Sequence, residues 1–268
     1  MEKHGGRVLV IGMPKTIDND VYPIYLTLGA QTAAQQGALF IANVVIESSA
    51  NPRSLILHEC MGRDSGSLTA ETARAYRENY LLRAPVLSIM PYGHARDIDA
   101  IWIPELPLDL DKEAERLKKI MDDKGSVHIF FGEVTGVEEI VAQMDKRGEE
   151  VPRDAFGHVK IAKIRPGEFF AKHVADALGA EKTLVQRSGY FCRSAAANAA
   201  DQALIAECAK VGVESALKGI SGCMGQDEDK PDKPMRAIEF ERIKGGKPFD
   251  VKQEWFQQLL KDIGQISE

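Results

Sequence analysis

The feature that most restricts the fold of this chain is a recurring alternation. Short apolar, β-branched runs, each closed by a polar loop, are followed by longer stretches whose apolar residues recur at helical spacing. The run Val8-Leu9-Val10-Ile11 is bounded by glycines and reads as a buried strand. Its carboxyl end opens into Gly12-Met13-Pro14-Lys15-Thr16-Ile17-Asp18-Asn19-Asp20. Residues 25–47 then carry helical spacing until Asn51-Pro52 stops them. The same reading gives strands at 54–59, 86–89, 101–103, 127–131 and 183–186, and short strands at 220–224 and 236–243. Helices are predicted over 67–82, 110–124 (closed by Gly125), 137–147, 168–178, 198–217 and 252–263. Residues 151–167, more polar and with two prolines, read as a connection or hairpin. Strand-helix alternation of this kind predicts an α/β protein with mostly parallel sheets and helices on both faces.

The 268 residues suffice for one large or two small domains, and 44% hydrophobic content supplies a sizeable core. A net charge of -6 speaks against nonspecific nucleic-acid or anionic-membrane binding while leaving room for a local cationic pocket. Small molecules and further copies of the chain are the expected partners. Cys60, Cys192, Cys208 and Cys223 form no C-x-x-C pair, so neither a disulfide frame nor a zinc site is expected, which suits a reducing cytoplasm. No run approaches the roughly 18 apolar residues needed to span a bilayer, and the first residues contain no hydrophobic signal region. The expectation is a soluble, cytoplasmic protein.

In a parallel sheet the carboxyl ends of the strands share one edge, and ligands sit there. Four loops compete for that position: Lys15 to Asp20, Met61-Gly62-Arg63, Glu133, and Arg187 to Arg193. The first holds a cation, a hydroxyl and two carboxylates within six residues. That set suits phosphoryl transfer, with one carboxylate to take a proton from an attacking hydroxyl, a second to hold a metal, and a cation to face the phosphate. Standing alone, Asp-Asn-Asp is ordinary turn chemistry, Arg63 is a surface arginine paired with a neighbour such as Asp64, and Glu133 is a helix-start carboxylate favoured by the dipole. His58 reads as a satisfied strand histidine, Asp64 as a cap or turn residue, and Asp227 to Lys233 as a solvated loop.

Order separates these readings. Pro14-Lys15-Thr16-Ile17-Asp18-Asn19-Asp20 resembles the catalytic loop of the phosphofructokinase family. Its Lys after Pro is similar to the pyrophosphate-dependent branch, where the ATP-dependent branch usually has Gly. Met61-Gly62-Arg63, the strand-end Glu133 and the Gly-aromatic-x-x-Arg segment ending at Arg193 follow in the family's order. The resemblance implies a phosphofructokinase-like fold and transfer of a phosphoryl group from pyrophosphate to the 1-hydroxyl of fructose 6-phosphate, with Mg2+. It implies Asp18 as general base, Asp20 as orienting group and indirect metal support, and Lys15 and Thr16 beside the transferring group. Thr16, Met61, Gly62, Arg63, Glu133, Arg187, Tyr190 and Arg193 would hold the sugar phosphate. Arg53 resembles an arginine that the family lends across a subunit interface, displaced by one residue, and a homo-oligomer is implied.

The resemblance begins part-way through the family's pattern. No Gly-Gly-Asp donor segment occurs, since Gly245-Gly246 is followed by Lys247. The expected division is residues 1–26 as part of a phosphoryl-donor domain, 27–186 as the fructose 6-phosphate domain, and 187–268 as return segments. By this reading the chain is incomplete at its N-terminus and inactive alone. Two alternatives stay open: an ATP-dependent 6-phosphofructokinase, and a non-catalytic sugar-phosphate-binding or assembly subunit.

Overall fold

The computed structural model describes residues 8–81, 96–146, 148–153 and 159–265. Its strands are β1 (Ile11–Gly12), β2 (Ser54–Cys60), β3 (Ala100–Trp102), β4 (Ser126–Gly132), β5 (Lys182–Arg187), β6 (Gly222–Gln226) and β7 (Met235–Ile238). Its α-helices of five or more residues are α1 (Ala30–Ser48), α2 (Ser67–Tyr76), α3 (Leu110–Lys124), α4 (Val137–Lys146), α5 (Pro166–Leu178), α6 (Gly189–Arg193), α7 (Ala199–Leu217) and α8 (Glu254–Asp262). Four strands form one sheet in the order β3-β4-β2-β5, every pair parallel. β1, β6 and β7 form a second sheet, in which β1 runs parallel to β6 and β7 antiparallel to it.

β2 is buried along nearly its whole length, as a strand covered on both faces must be. On one face Ile56, Ile101 and Phe130 meet Ile41 and Val45 of α1, Ala73 of α2, and Phe256 and Leu260 of α8. On the other, Leu57, Trp102 and Phe131 meet Leu117 and Met121 of α3 and Phe170 and Val174 of α5. Phe170 packs edge-on against both Trp102 and Phe131, the geometry aromatic quadrupoles prefer. The expected α/β architecture with helices on both faces is therefore present. The chain's end returns to this sheet, where the Gln265 side chain exchanges hydrogen bonds with the backbone of Ile101.

Several element boundaries differ from the sequence reading. The first strand is Ile11–Gly12 and Val8 is 56% exposed, because among the described residues β1 pairs with β6 alone and lies at the edge of its sheet. The first long helix starts at Ala30, since the backbone before it is held in extended bonds: Tyr25 N–H donates to the Gln226 carbonyl and Leu28 N–H to that of Pro14. Helix α2 widens into a π-type turn over Arg77–Leu81. The predicted 236–243 strand ends at Ile238 and continues as a 3-10 turn, Phe240–Arg242. The predicted strand at 86–89 and residues 154–158 of the predicted connection lie outside the described residues.

One side-chain expectation is corrected. Asp227 is fully buried at the start of its loop, 2.8 Å from both Arg236 and Arg242. That pairing holds its carboxyl well below the usual range, first through the Arg242 hydrogen bond. Arg53 is used within its own chain, donating to the carbonyls of Gly179 and Leu178 and pairing with Asp122 at 3.0 Å. No helix among the described residues is long and apolar enough to cross a membrane. All four cysteines are buried free thiols.

His58 is fully buried, edge-on to Phe130 and stacked beside Phe40, with Nε2 2.8 Å from the Ser188 hydroxyl oxygen. Burial pushes its pKa down to about 3, below the ordinary value near 6.5. The unfolded chain therefore takes up a proton near pH 6.5 that the folded chain refuses until about pH 3. Stability from this group is full above pH ~6.5 and declines as pH falls toward 3, by about 1.4 kcal/mol per unit. Asp99, pushed up to about 6 by burial, acts in the opposite sense, so the test is a difference between proteins. The stability gap between wild type and His58→Gln should narrow by about 2 kcal/mol between pH 7.5 and pH 5, measured by urea denaturation. A gap that does not change with pH would contradict a neutral buried His58.

Candidate active site

The loop after β1 is shaped by its own polar side chains. Asn19 takes a left-handed conformation, φ 52°, which Asn tolerates better than most residues. Its Oδ1 accepts from Thr27 N–H at 2.9 Å and its Nδ2 donates to the Tyr25 carbonyl at 3.2 Å. The Thr27 hydroxyl donates to the Thr16 carbonyl at 2.8 Å, and Thr16 Oγ1 accepts from Asp18 N–H at 3.1 Å. These bonds turn the Asp18 carboxylate into a largely buried position. Its pKa is raised, first by burial and then by the like charge of Asp20, with Glu133 adding to the rise and Arg63 and the Thr16 hydrogen bond opposing it.

The ends of β2 and β4 meet this carboxylate. Arg63 Nε lies 3.7 Å from Asp18 Oδ2. Arg63 is in the left-handed region at φ 49° and Gly62 precedes it at φ 148°. A Cβ on Gly62 would stand 2.4 Å from the Ser65 carbonyl oxygen, so only glycine fits the turn. Glu133 secures the turn from the next strand. Its N–H donates to the Cys60 carbonyl at 3.0 Å, and its Oε1 accepts from Gly62 N–H at 3.3 Å and Arg63 N–H at 3.1 Å.

The end of β5 completes the edge. Arg187 lies beside Glu59 in the β2–β5 register, with Nε 3.0 Å from Glu59 Oε1 and Nη2 2.7 Å from Glu168 Oε2. Gly189 lets α6 settle on Met61, since a Cβ there would meet three Met61 side-chain atoms at 2.9 to 3.0 Å. Tyr190, on that helix, is 78% exposed, and Arg193 and Lys15 are exposed as well. Asp20 accepts a backbone hydrogen bond from Lys247 at 2.9 Å.

Of the residues singled out by sequence, Asp18, Arg63 and Glu133 are thus within interaction range of one another, with Thr16, Asp20, Met61 and Gly62 joined to them by neighbouring bonds and contacts. Arg187 shares the edge but is held between two carboxylates. The side chains of Lys15, Tyr190 and Arg193 are exposed, and no hydrogen bond or ion pair to the others joins them among the described residues. A cleft of about 930 Å³ borders the same loop at Ile17 and Asn19 and runs past Gln31, Glu71, Arg74 and Lys247. It takes in none of Asp18, Arg63, Glu133 or Arg187.

Three supporting residues were not singled out by sequence reasoning. Asp201 of α7 accepts from the N–H groups of Gly29 and Thr32 at 2.9 and 2.7 Å, capping α1 from 172 residues away. Glu105 accepts from the N–H groups of Gly66 and Phe249, tying the start of α2 to the returning chain end. Asn19 had a local signal, a residue that tolerates the left-handed region inside a turn, that could have marked it as the staple of the loop.

The phosphofructokinase family model matches residues 1–216. A Methylomonas methanica protein named pyrophosphate–fructose 6-phosphate 1-phosphotransferase is 52% identical over 259 residues, covering 96% of this chain and 62% of its own length. The protein of the same name from Propionibacterium freudenreichii is 51% identical over 270 residues, covering 99% of this chain and 65% of its own. The chain therefore spans a little under two thirds of these relatives. The crystal structure of pyrophosphate-dependent phosphofructokinase from Marinobacter aquaeolei matches with a TM-score of 0.63 at 20% identity, over 100% of this chain and 63% of that one. That last likeness speaks for the fold, and with the relatives it leads to one conclusion: the chain belongs to the phosphofructokinase family.

Proposed function

We propose that this chain carries the sugar-phosphate side of a pyrophosphate-dependent phosphofructokinase, which moves a phosphoryl group from pyrophosphate to the 1-hydroxyl of fructose 6-phosphate. The observation that carries the reading is the meeting of Asp18, Arg63 and Glu133 at the carboxyl edge of parallel strands. The names of relatives at about half identity favour pyrophosphate over ATP as donor. In this reading residues 1–26 belong to the donor side, 27–186 to the fructose 6-phosphate domain and 187–268 to both. The protein works as a cytoplasmic homo-oligomer.

Asp18 is the general base. Burial and Asp20 raise its proton affinity, which suits a group that must take the proton of a 1-hydroxyl as that oxygen attacks phosphorus. Asp20 and Thr16 orient the reacting groups, and Lys15 offsets charge on the transferring phosphoryl group. Arg63, Arg187, Arg193, Tyr190, Met61 and Gly62 hold the sugar phosphate. Glu133 keeps the Gly62-Arg63 turn in place with Oε1, leaving its other oxygen for a sugar hydroxyl.

The cation this chemistry calls for is Mg2+. Among the described residues no cluster of three or more His, Cys, Asp or Glu gathers around one point. Mg2+ commonly keeps waters and takes phosphate oxygens with only one or two carboxylates, so the Asp18–Asp20 pair fits a metal held mainly by the donor, with Asp20 as its support. When bound, the ion would neutralise charge on the phosphates.

In the intact natural protein, assayed with pyrophosphate, Mg2+ and fructose 6-phosphate, Asp18→Asn should cut kcat by about two to four orders of magnitude while sugar-phosphate binding persists. Because Asp18 is raised, the acid limb of the wild-type kcat/KM profile should lie above the ordinary aspartate range near 3.9. Near-normal turnover in that variant would remove Asp18 from the mechanism.

Glu133 allows a separate check. Glu133→Gln retains an acceptor oxygen for both turn amides, so its thermal stability should stay close to wild type. Glu133→Ala leaves those amides without their acceptor and should lose about 1–3 kcal/mol together with sugar-phosphate affinity. Equal behaviour of the two variants in thermal melts and calorimetric titration would show that the turn does not depend on this carboxylate.

A further inference from the structure

The guanidinium of Arg187 is held by two carboxylates of different character. Glu59 sits beside it in the β2–β5 register with a side chain only 15% exposed. Its second oxygen, Oε2, is buried with no hydrogen-bond partner, and burial raises its pKa against the pull of Arg187. Packing confines it further, because a Cβ on Gly167 would already lie 3.0 Å from that oxygen. Glu59 is thus a fixed anchor for Nε. Glu168, on Nη2, is different. It stands in the first turn of α5 with a side chain 43% exposed. It can swing into water at small cost and remain favoured by the helix N-terminus.

A phosphate ester gains most from arginine when it takes two parallel N–H donors. On Arg187 the Nε edge is occupied by Glu59, and the other edge includes Nη2, which Glu168 holds at 2.7 Å. A phosphate that takes Nη1 and Nη2 together meets Glu168 at Nη2 and is repelled by its like charge, while Glu59 keeps the guanidinium aimed.

We infer that Glu168 is an affinity- and specificity-determining residue, a tethered carboxylate that competes with the substrate phosphate for Arg187 and so screens out weakly held anions. The inference rests on the reading of Arg187 as a contact of the sugar phosphate. A dianionic ester that also engages Arg63 and the sugar contacts displaces Glu168. Inorganic phosphate, lacking those contacts, is held back by the competition.

The test is calorimetric titration of the full chain with fructose 6-phosphate and, separately, with inorganic phosphate, at low ionic strength and again at high salt. Glu168→Gln should tighten fructose 6-phosphate binding about three- to tenfold, the scale of an exposed ion pair plus the relief of one like charge. Inorganic phosphate should gain at least as much, and both gains should shrink at high salt. Glu168→Ala, a second variant in case the first folds poorly, carries the same expectation. The gain should vanish in Glu168→Gln combined with Arg187→Ala.

Unchanged or weaker binding in folded Glu168 variants, with Arg187→Ala still weakening fructose 6-phosphate, would overturn the competition and leave the role of Arg187 standing. A gain that survives removal of Arg187 would overturn it too, by showing a different route. If Arg187→Ala leaves fructose 6-phosphate affinity untouched, the underlying assignment of Arg187 fails and this inference falls with it.

Discussion

Seven residues of β2 run parallel to seven of β4, with Ser54 beside Ser126 and Cys60 beside Gly132, and the candidate site depends on that register. It brings Met61-Gly62-Arg63 and Glu133 to the same edge at the same height, where one carboxylate oxygen can accept two turn amides. A slip of one residue would turn every β2 side chain to the opposite face, sending Ile56 and Leu57 into each other's cores. The two apolar layers on either side of the sheet therefore hold the polar geometry at its edge. The same register sets Glu59 beside Arg187 on β5.

The loop bearing Asp18 is not part of that sheet. It is positioned by strands and turns from the other end of the chain. The backbone of Tyr22 exchanges hydrogen bonds with Lys244 at 2.8 and 2.9 Å, Glu228 N–H donates to the Pro23 carbonyl, and Lys247 N–H donates to that of Asp20. Behind these bonds Asp227 is buried between Arg236 and Arg242, and Arg242 reaches on to Asp229, which accepts from the Tyr22 hydroxyl. Asp227 is buried, so removing its arginines would leave that charge uncompensated, and the network ties Tyr22 beside the loop to the 227–242 segment.

Each arginine of the site edge is paired with carboxylates at short range. Arg63 faces Asp18 and Arg187 faces Glu59 and Glu168. Because burial is the largest cause of the raised pKa at both Asp18 and Glu59, the edge holds carboxylates that are already inclined to accept protons. Arg63 and Arg187 are more exposed than the Asp18 and Glu59 carboxylates they face.

How much of this was legible differs from feature to feature. The alternation of strand and helix patterns was readable because period 2 and period 3.6 are local properties of the chain. The strand-end positions of Asp18, Arg63, Glu133 and Arg187 were readable because apolar runs stop where polar loops start. What sequence could not reach were pairings that depend on distance in space. Val8 to Val10 have the composition of a buried strand yet lie exposed, since burial needs a neighbouring layer and composition does not say whether one is there. Asp227 has the context of a solvated loop yet is buried, because its arginine partners lie 9 and 15 residues further on. By itself the sequence determined the α/β class, the order of the candidate loops and the residue types they carry, all consequences of local hydrophobic periodicity and turn chemistry. Tertiary structure alone decided that Asp201 would cap α1, that Glu105 would tie α2 to the chain end and that Arg187 would sit between Glu59 and Glu168. Each is a charge or hydrogen-bond pairing whose partner is chosen by how the layers pack.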